Sequence, residues 1–234
     1  MIPLRDDAPR WSFPGVTVTL ILVNCAIFLY ESALLSRSAY LGELFMQTYG
    51  VVPARVLAAV NGEYPLIEGV APLFTSIFLH GGWLHLIGNM WFLWIFGDNV
   101  EDELGHFPFL VFYIACGVIA SLAHIFSGPS STVPTVGASG AIAGVMGAYL
   151  IRFPTARVVT LIPFFLFFTT VEIPAFVMLF YWLAIQLLSG TMTLGEASAG
   201  GVAWWAHIGG FAAGALLIWS RPKRRRYRRL YSSN

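Results

Sequence analysis

Residues 137–150 read GASGAIAGVMGAYL, an uncharged run that continues to the first charged side chain at Arg152. Small residues recur in this run every three or four positions, at Gly140, Gly144 and Gly147. Residues at that spacing share one face of a helix, and a face of small side chains lets a second membrane helix approach closely. The run therefore predicts a helix that is buried in a bundle of membrane helices.

The composition of the whole chain favours the same environment. Of its 234 residues, 57% are apolar and only 11% are charged, and the mean hydropathy is +0.73. A soluble domain is about 25% charged, so this chain has too few polar side chains to cover a surface that faces water. A soluble globular domain is therefore excluded. The sequence contains neither a zinc-like spacing of Cys and His nor a nucleotide-binding glycine loop, and we predict no metal and no cofactor.

Apolar runs predict six membrane spans, at 16–34, 83–97, 107–126, 137–150, within 158–188 and at 202–220. The fifth run is longer than one span needs, and Pro163 and Pro174 interrupt it. We therefore expect residues 158–172 to form a re-entrant or interfacial approach and residues 173–188 to form the span. The predicted fold is an all-α membrane protein, a bundle of six transmembrane helices. Its long first outer loop, 35–82, is predicted to lie in the membrane interface as short amphipathic segments.

The basic residues predict the orientation of these spans. Seven of the 13 lie within 221–229, and the positive-inside rule places that tail in the cytosol. Six spans put the N-terminus there too, and the remaining basic residues divide unevenly between the two sides: Arg5, Arg10, Arg152 and Arg157 inside, Arg37 and Arg55 outside. We predict a cytosolic N-terminal segment at 1–15, a membrane domain at 16–220 and a basic cytosolic tail at 221–234. The tail is expected to contact anionic lipids and not nucleic acid.

Polar side chains on three different spans are predicted to lie at one depth. Ser139, His85 and His207 each precede the next charged residue by 13 or 14 positions, which is about 20 Å of helix. Asn89 lies one turn from His85 on the same helix face. Polar groups inside a bilayer are costly, so each is either a functional group or part of hydrogen-bonded packing. The common depth favours a site, although small-residue faces also occur in bundles that have no catalytic activity.

A serine beside a histidine can act as a nucleophile. The Ser139 hydroxyl is a weak nucleophile unless a base takes its proton, and His207 can be that base. Neither of their two spans has a carboxylate at this depth to orient the histidine, so we predict a dyad and not a triad. Residues 137–140 place Ser139 at a helix N-terminus, where backbone N–H groups favour an oxyanion, and Asn89 and His85 can add side-chain donors.

Four motifs extend this pattern along the chain. They are FLHGGWLHLIGNM at 78–90, GDNVE at 97–101 followed by Leu104-Gly105, GASG at 137–140 and AHIGG at 206–210. In this order they resemble the motifs of the rhomboid intramembrane serine proteases, and the resemblance covers about 70–220.

The resemblance implies a six-helix fold in which Ser139 is the nucleophile and His207 is its base. It also implies that His85, Asn89 and the backbone N–H of Ser139 line the oxyanion hole. The implied substrates are membrane-anchored proteins that are cut in or near a transmembrane segment.

Two features depart from the family pattern. Ala143 stands where many members carry an aromatic residue beneath the histidine, so the His207 ring must be supported from elsewhere. The Trp-Arg pair of the first outer loop is absent, since Ala54 precedes Arg55. These departures concern the orientation of the histidine and the packing of the loop.

The sequence thus predicts an intramembrane serine endopeptidase, a multi-pass protein whose site opens to the extracytoplasmic side and whose termini are cytosolic. Its expected partners are single-pass transmembrane protein substrates and membrane lipids. Two other classes stay open. An inactive relative would escort membrane proteins without cutting them; the presence of both Ser139 and His207 argues against it, and Ala143 keeps it open. A small transporter would use the buried polar groups as a permeation path. Glu101, near the cytosolic end of the second span, is expected to bind neighbouring backbone groups.

Overall fold

The computed structural model of the protein describes residues 2–164, 167–192 and 203–223. The strands and helices follow in chain order: β1 (Ile2–Asp6), α1 (Gly15–Arg37), α2 (Ala39–Tyr49), α3 (Pro53–Val60), α4 (Leu66–Val70), α5 (Pro72–Thr75), α6 (Trp83–Leu104), α7 (His106–Ser127), α8 (Ser139–Arg152), β2 (Arg157–Phe164), β3 (Phe167–Pro174), α9 (Ala175–Met192) and α10 (Trp204–Trp219). A 3-10 turn at Ser76–Phe78 follows α5. Residues 224–234, which hold most of the predicted basic tail, lie outside the described residues.

A helix occurs at each of the six apolar runs, namely α1, α6, α7, α8, α9 and α10. Three of these, α1, α7 and α9, are long and apolar enough to cross a membrane, and α10 is a shorter apolar helix. Leu66–Phe78 and Trp83–Leu104, which bend by 77° between them, add a fourth crossing if the pair is one span. The described chain is therefore a mostly helical, multi-pass membrane protein. The segment predicted to form the first outer loop, 35–82, contains the four short helices α2 to α5.

The long helices bring their ends together at two places. At one, the start of α8 meets the start of α10, where Ser139 contacts His207. At the other, the end of α8 meets the end of α10, where Arg152 contacts Ile218, and the three strands lie nearby. We refer to these as the Ser139 end and the sheet end.

Helices α8 and α10 pack with almost no side-chain volume between them. A Cβ atom added at Gly210 would lie 2.0 Å from the carbonyl oxygen of Gly140, and one added at Gly214 would lie 1.9 Å from that of Gly144. Only glycine allows two backbones to approach this closely. The close approach that the small residues predict is confirmed, and it fixes the register of the two helices that carry Ser139 and His207.

A three-stranded antiparallel sheet, in the order β1-β2-β3, corrects the all-α prediction. The segment expected to be an approach to the fifth span is the β2–β3 hairpin, with Arg157 paired to Pro174 at its open end. Its sequence is rich in β-branched residues, including Val158, Val159 and Thr160, which favour strands, and Pro163 disfavours a helix. The pairing satisfies backbone groups that would otherwise be costly near a membrane.

Charged side chains bind the helix termini at the sheet end. The two carboxylate oxygens of Glu101 accept hydrogen bonds from the backbone N–H groups of Val16 and Thr17, at 2.8 and 2.7 Å, in the first turn of α1. Arg152 donates to the carbonyl oxygen of Ile218 at 2.8 Å, in the last turn of α10. Each charge lies at the helix end whose dipole it complements. The expectation that Glu101 binds backbone groups is confirmed.

Candidate active site

The backbone before α8 places Ser139 as the first residue of that helix. Gly137 has φ +126°, which side-chain-bearing residues rarely adopt, and its N–H donates to the carbonyl oxygen of Ser76 at 2.9 Å. Ala138 follows as the N-cap residue, and its methyl side chain accepts no hydrogen bond. The first-turn N–H groups of α8 therefore have no side-chain acceptor from the N-cap position, and half-buried Ser139 lies beside them.

His207 lies one hydrogen bond from Ser139. Its Nε2 atom is 2.8 Å from the Ser139 Oγ, across the glycine contact of α8 and α10. The His207 side chain is largely buried, with the residue 9% exposed. The two residues that the sequence analysis set at equal depth are thus in contact, at a distance that permits proton transfer.

The second nitrogen of His207 contacts a residue that sequence reasoning missed. The Nδ1 atom lies 2.7 Å from the Oε1 of Gln186, on α9, and Gln186 is only 4% exposed. A carboxylate on α8 or α10 was the orienting group that the sequence lacked, whereas Gln186 is a neutral amide on a third helix. A polar side chain inside the apolar fifth run was the available signal.

Aromatic residues surround the ring of His207 on other sides. The Trp182 ring centroid lies 5.8 Å from that of His207, with 37° between the planes, and Trp204 meets the ring edge-on at 6.3 Å. Ala143, on α8, is fully buried but too small for this role. The support that the sequence required from elsewhere therefore comes from α9 and α10.

His85 and Asn89 converge on the backbone just before Ser139. A Cβ atom added at Gly137 would lie 2.7 Å from both Cε1 and Nε2 of His85 and 3.6 Å from Nδ2 of Asn89. Asn89 is 8% exposed, and its Nδ2 has no hydrogen-bond partner among the described residues. A buried amide donor without a partner is costly, so one beside a serine and a helix N-terminus is available to bind a negative oxygen.

Of the described side chains around Ser139, the titratable ones are histidines and the others are neutral. They comprise the hydroxyl of Ser139, the imidazoles of His85 and His207, and the amides of Asn89 and Gln186. The described residues contain no group of three or more His, Cys, Asp or Glu that could hold a metal ion. The geometry can support attack by a serine hydroxyl, with a histidine to take the proton and N–H donors beside it.

Comparisons with known proteins identify the family of the chain. The model of the Rhomboid domain matches residues 68–224. The chain is 34% identical over 112 residues to "Rhomboid-like protein 11, chloroplastic" of Arabidopsis thaliana, covering 48% of this chain and 37% of that protein. It is 37% identical over 94 residues to "Putative rhomboid protease YdcA" of Bacillus subtilis, covering 40% and 44%. It is 44% identical over 78 residues to "Rhomboid protease GluP" of the same organism, covering 33% and 15%. The matched part thus spans less than half the length of each relative.

Proposed function

Because the chain belongs to the rhomboid family, we propose that it is a serine endopeptidase that cuts membrane-anchored proteins in or near a transmembrane segment. Proteins named as rhomboid proteases are among its relatives. The observation that carries the proposal is the 2.8 Å contact between His207 Nε2 and Ser139 Oγ, beside the N-terminus of α8. A serine, its base and a set of oxyanion donors are the parts that acyl transfer needs.

In the proposed reaction, Ser139 Oγ bonds to the scissile carbonyl carbon as its proton passes to His207 Nε2. The electron pair of the carbonyl goes to its oxygen. When that tetrahedral intermediate collapses, the carbon–nitrogen bond breaks and the proton moves from Nε2 to the leaving amine. Water then attacks the acyl-enzyme with His207 again as the base, which releases a carboxylic acid and restores the Ser139 hydroxyl.

The negative oxygen of the intermediate would be bound between α8 and α6. The backbone N–H of Ser139 belongs to the positive end of the α8 dipole, and Asn89 and His85 lie against Gly137 on the other side. Donors that are already in place when charge develops are among the largest contributions to such catalysis, with one donor worth about 10²- to 10³-fold.

The length of α8 supports a site below the membrane surface. Its 14 residues span about 21 Å, whereas the hydrocarbon core is about 30 Å thick. If Arg152 lies at the cytosolic surface, Ser139 lies about 10 Å below the opposite one. The proposal includes six crossings within 16–220, cytosolic segments at 1–15 and 221–234, and a site that opens to the extracytoplasmic side.

The proposed substrates are single-pass transmembrane proteins that approach from the surrounding lipid. A peptide bond inside a helix is hydrogen-bonded and shielded, so the substrate must unwind before Ser139 can reach it. Small or helix-weakening residues near the cut are therefore expected. No nucleic-acid partner and no cofactor enter this scheme.

The test is cleavage of a single-pass reporter co-expressed with the chain. Ser139→Ala and His207→Ala are each expected to lower cleavage by about 10⁴-fold or more, because members of such a unit do not act separately. Ser36→Ala, which removes an exposed hydroxyl in the last turn of α1 that hydrogen-bonds to Ala33, is the matched control and should leave cleavage unchanged.

A serine-reactive phosphonate separates an active enzyme from an escort protein. Labelling is expected at Ser139 and should disappear in His207→Ala. Cleavage that persists in both alanine variants would contradict the protease assignment, and a wild-type chain that binds the reporter but is neither labelled nor active would indicate an escort.

A further inference from the structure

We propose that Gln186 is a positioning residue that holds His207 in the tautomer with the proton on Nδ1. This inference rests on the proposed function, since the tautomer matters because Nε2 must accept the proton of Ser139. The two contacts of the ring are 2.7 Å from Nδ1 to Gln186 Oε1 and 2.8 Å from Nε2 to Ser139 Oγ. A neutral imidazole carries one proton, so the partner of Nδ1 decides what Nε2 can do.

A third contact fixes which end of the Gln186 amide faces the histidine. Gln186 Nε2 donates to the backbone carbonyl oxygen of Trp182 at 3.3 Å, one turn earlier on α9. The reversed amide would point its oxygen at that carbonyl oxygen, so two acceptors would face each other. The amide oxygen is therefore directed at His207, where only an N–H can satisfy it.

The consequence for His207 follows from the donor and acceptor inventory. With its proton on Nδ1 and donated to Gln186, the ring presents the Nε2 lone pair to the Ser139 hydroxyl. When Nε2 takes the proton, the Nδ1–H bond to Gln186 stays in place and becomes charge-assisted. Gln186 thus takes the orienting position that a carboxylate occupies in a Ser-His-Asp triad, without adding a negative charge to the site.

Gln186 and Trp182 act from the same face of α9. They are four residues apart, so their side chains are neighbours, and the Trp182 ring packs beside the imidazole while Gln186 binds its edge. An amide that is 4% exposed in an apolar helix is costly unless both of its ends are bound. Packing alone would favour an apolar side chain here, and the two hydrogen bonds account for the amide.

The first test is Gln186→Met, which keeps the length of the side chain and removes the acceptor. We expect kcat to fall about 10- to 100-fold with KM within about twofold, as is typical when a residue that orients another is lost. Phosphonate labelling of Ser139 should slow by the same factor. The matched control is Gln47→Met on α2, where the amide donates a hydrogen bond to exposed Glu43, and neither quantity should change.

Gln186→Glu provides the rescue, because a carboxylate oxygen can also accept from Nδ1. Its activity is expected to be at least about tenfold higher than that of Gln186→Met. The acidic limb of its pH profile should differ from that of the wild type, because the site gains a carboxylate. A purely structural role predicts the opposite order, with methionine tolerated in the apolar span and glutamate not.

The tautomer itself is measured by ¹⁵N chemical shifts of histidine in the detergent-solubilised wild-type chain, assigned by comparison with His207→Ala. The expected result is protonated Nδ1 and unprotonated Nε2 for His207, with a shift towards the other tautomer in Gln186→Met. Protonated Nε2 in the wild type would overturn the inference even if no variant folds. A wild type that is not labelled or active contradicts the proposed function, whereas unchanged labelling in Gln186→Met contradicts only the role of Gln186.

Discussion

The N-termini of α1 and α8 face opposite ends of the bundle and differ in the groups that bind their N–H donors. At the sheet end, both oxygens of Glu101 bind N–H groups in the first turn of α1. At the Ser139 end, α8 follows the N-cap residue Ala138, whose side chain accepts nothing, and Ser139 itself opens the helix. The same property, a set of N–H donors with a positive dipole end, is occupied by a carboxylate in one helix and left open in the other.

Under the proposed function, the difference separates the anchoring of a helix from the chemistry at Ser139. A carboxylate beside Ser139 would occupy the donors that an oxyanion needs, and neutral groups such as Asn89 and Gln186 leave them open. At the sheet end, by contrast, the charged side chains of Glu101 and Arg152 bind helix termini. Buried donors without an acceptor lower stability, and the proposed oxyanion would give the donors at the Ser139 end a partner during the reaction.

Gly137→Ala should disrupt the unoccupied N-terminus of α8, and its expected effect is the largest of the three. The added methyl group would lie 2.7 Å from the His85 ring, at a backbone conformation that disfavours alanine. We expect kcat/KM for reporter cleavage to fall by about 10²-fold or more, because displacing oxyanion donors costs that much. Gly88→Ala on α6 is the control, since its added Cβ atom meets nothing within 4 Å. Equal activity of the two variants would contradict the assignment of His85 and Asn89.

Glu101→Gln should weaken the contact at the N-terminus of α1, with an intermediate effect that is seen in stability. The amide keeps one oxygen acceptor, so one of the two N–H groups of Val16 and Thr17 loses its partner. We expect a loss of about 1–3 kcal/mol in the free energy of unfolding, seen as a lower Tm in detergent, with cleavage per folded molecule unchanged. Glu43→Gln, at an exposed position on α2, should shift Tm far less. A fall in activity with no change in Tm would mean that Glu101 serves the reaction and not the helix.

Asp6→Asn should change how the stability of the sheet end depends on pH, and its expected effect is the smallest. Burial raises the pKa of the Asp6 carboxyl, on β1, to about 7, well above its usual value, and the Tyr149 hydroxyl hydrogen-bonds to it. Between about pH 4 and 7 the folded state then holds a proton that the unfolded chain has released. The contribution of Asp6 is therefore fully present at low pH and is lost as the pH rises through 7.

The measurement is Tm in detergent at pH 5.5 and 8.5, for the wild type and for Asp6→Asn. Over this interval the free energy of unfolding of the wild type should fall by on the order of 1 kcal/mol more than that of the variant, because asparagine cannot titrate. The difference is seen as a larger drop in Tm. Glu43→Gln, at the exposed position on α2, is the control and should keep the pH dependence of the wild type. An identical pH dependence in Asp6→Asn and wild type would show that the carboxyl is not responsible.

The contact between Ser139 and His207 could be predicted because a helix has a fixed rise. Charged residues mark the end of each apolar run, and counting back about 20 Å sets the depth of a side chain without knowledge of its neighbours. The glycine spacing then predicts which helices approach, and the close contact of Gly140 with Gly210 confirms it. These inferences depend on local periodicity, which the sequence states directly.

The sheet and Gln186 were missed because they depend on which segments meet in space. The apolar stretch that contains Val158 and Val159 suits a membrane approach as well as a strand, and only the pairing with β1 and β3 decides between them. Gln186 is a lone amide whose partner lies 21 positions away on another helix. Neither partner can be identified from spacing within one segment.

The pairing of β1 with β2 also sets the order in which the chain can assemble. The strand at Ile2–Asp6 is synthesised before its partner β2, and Asp7 beside it binds the backbone of Arg157, which follows 150 positions later. At roughly 5–20 residues per second, the ribosome needs on the order of ten seconds or more to supply that partner. During this interval β1 has an unpaired edge while α1 is already available for insertion. A nascent chain that stops after α8 would therefore carry the first strand of a sheet that it cannot complete.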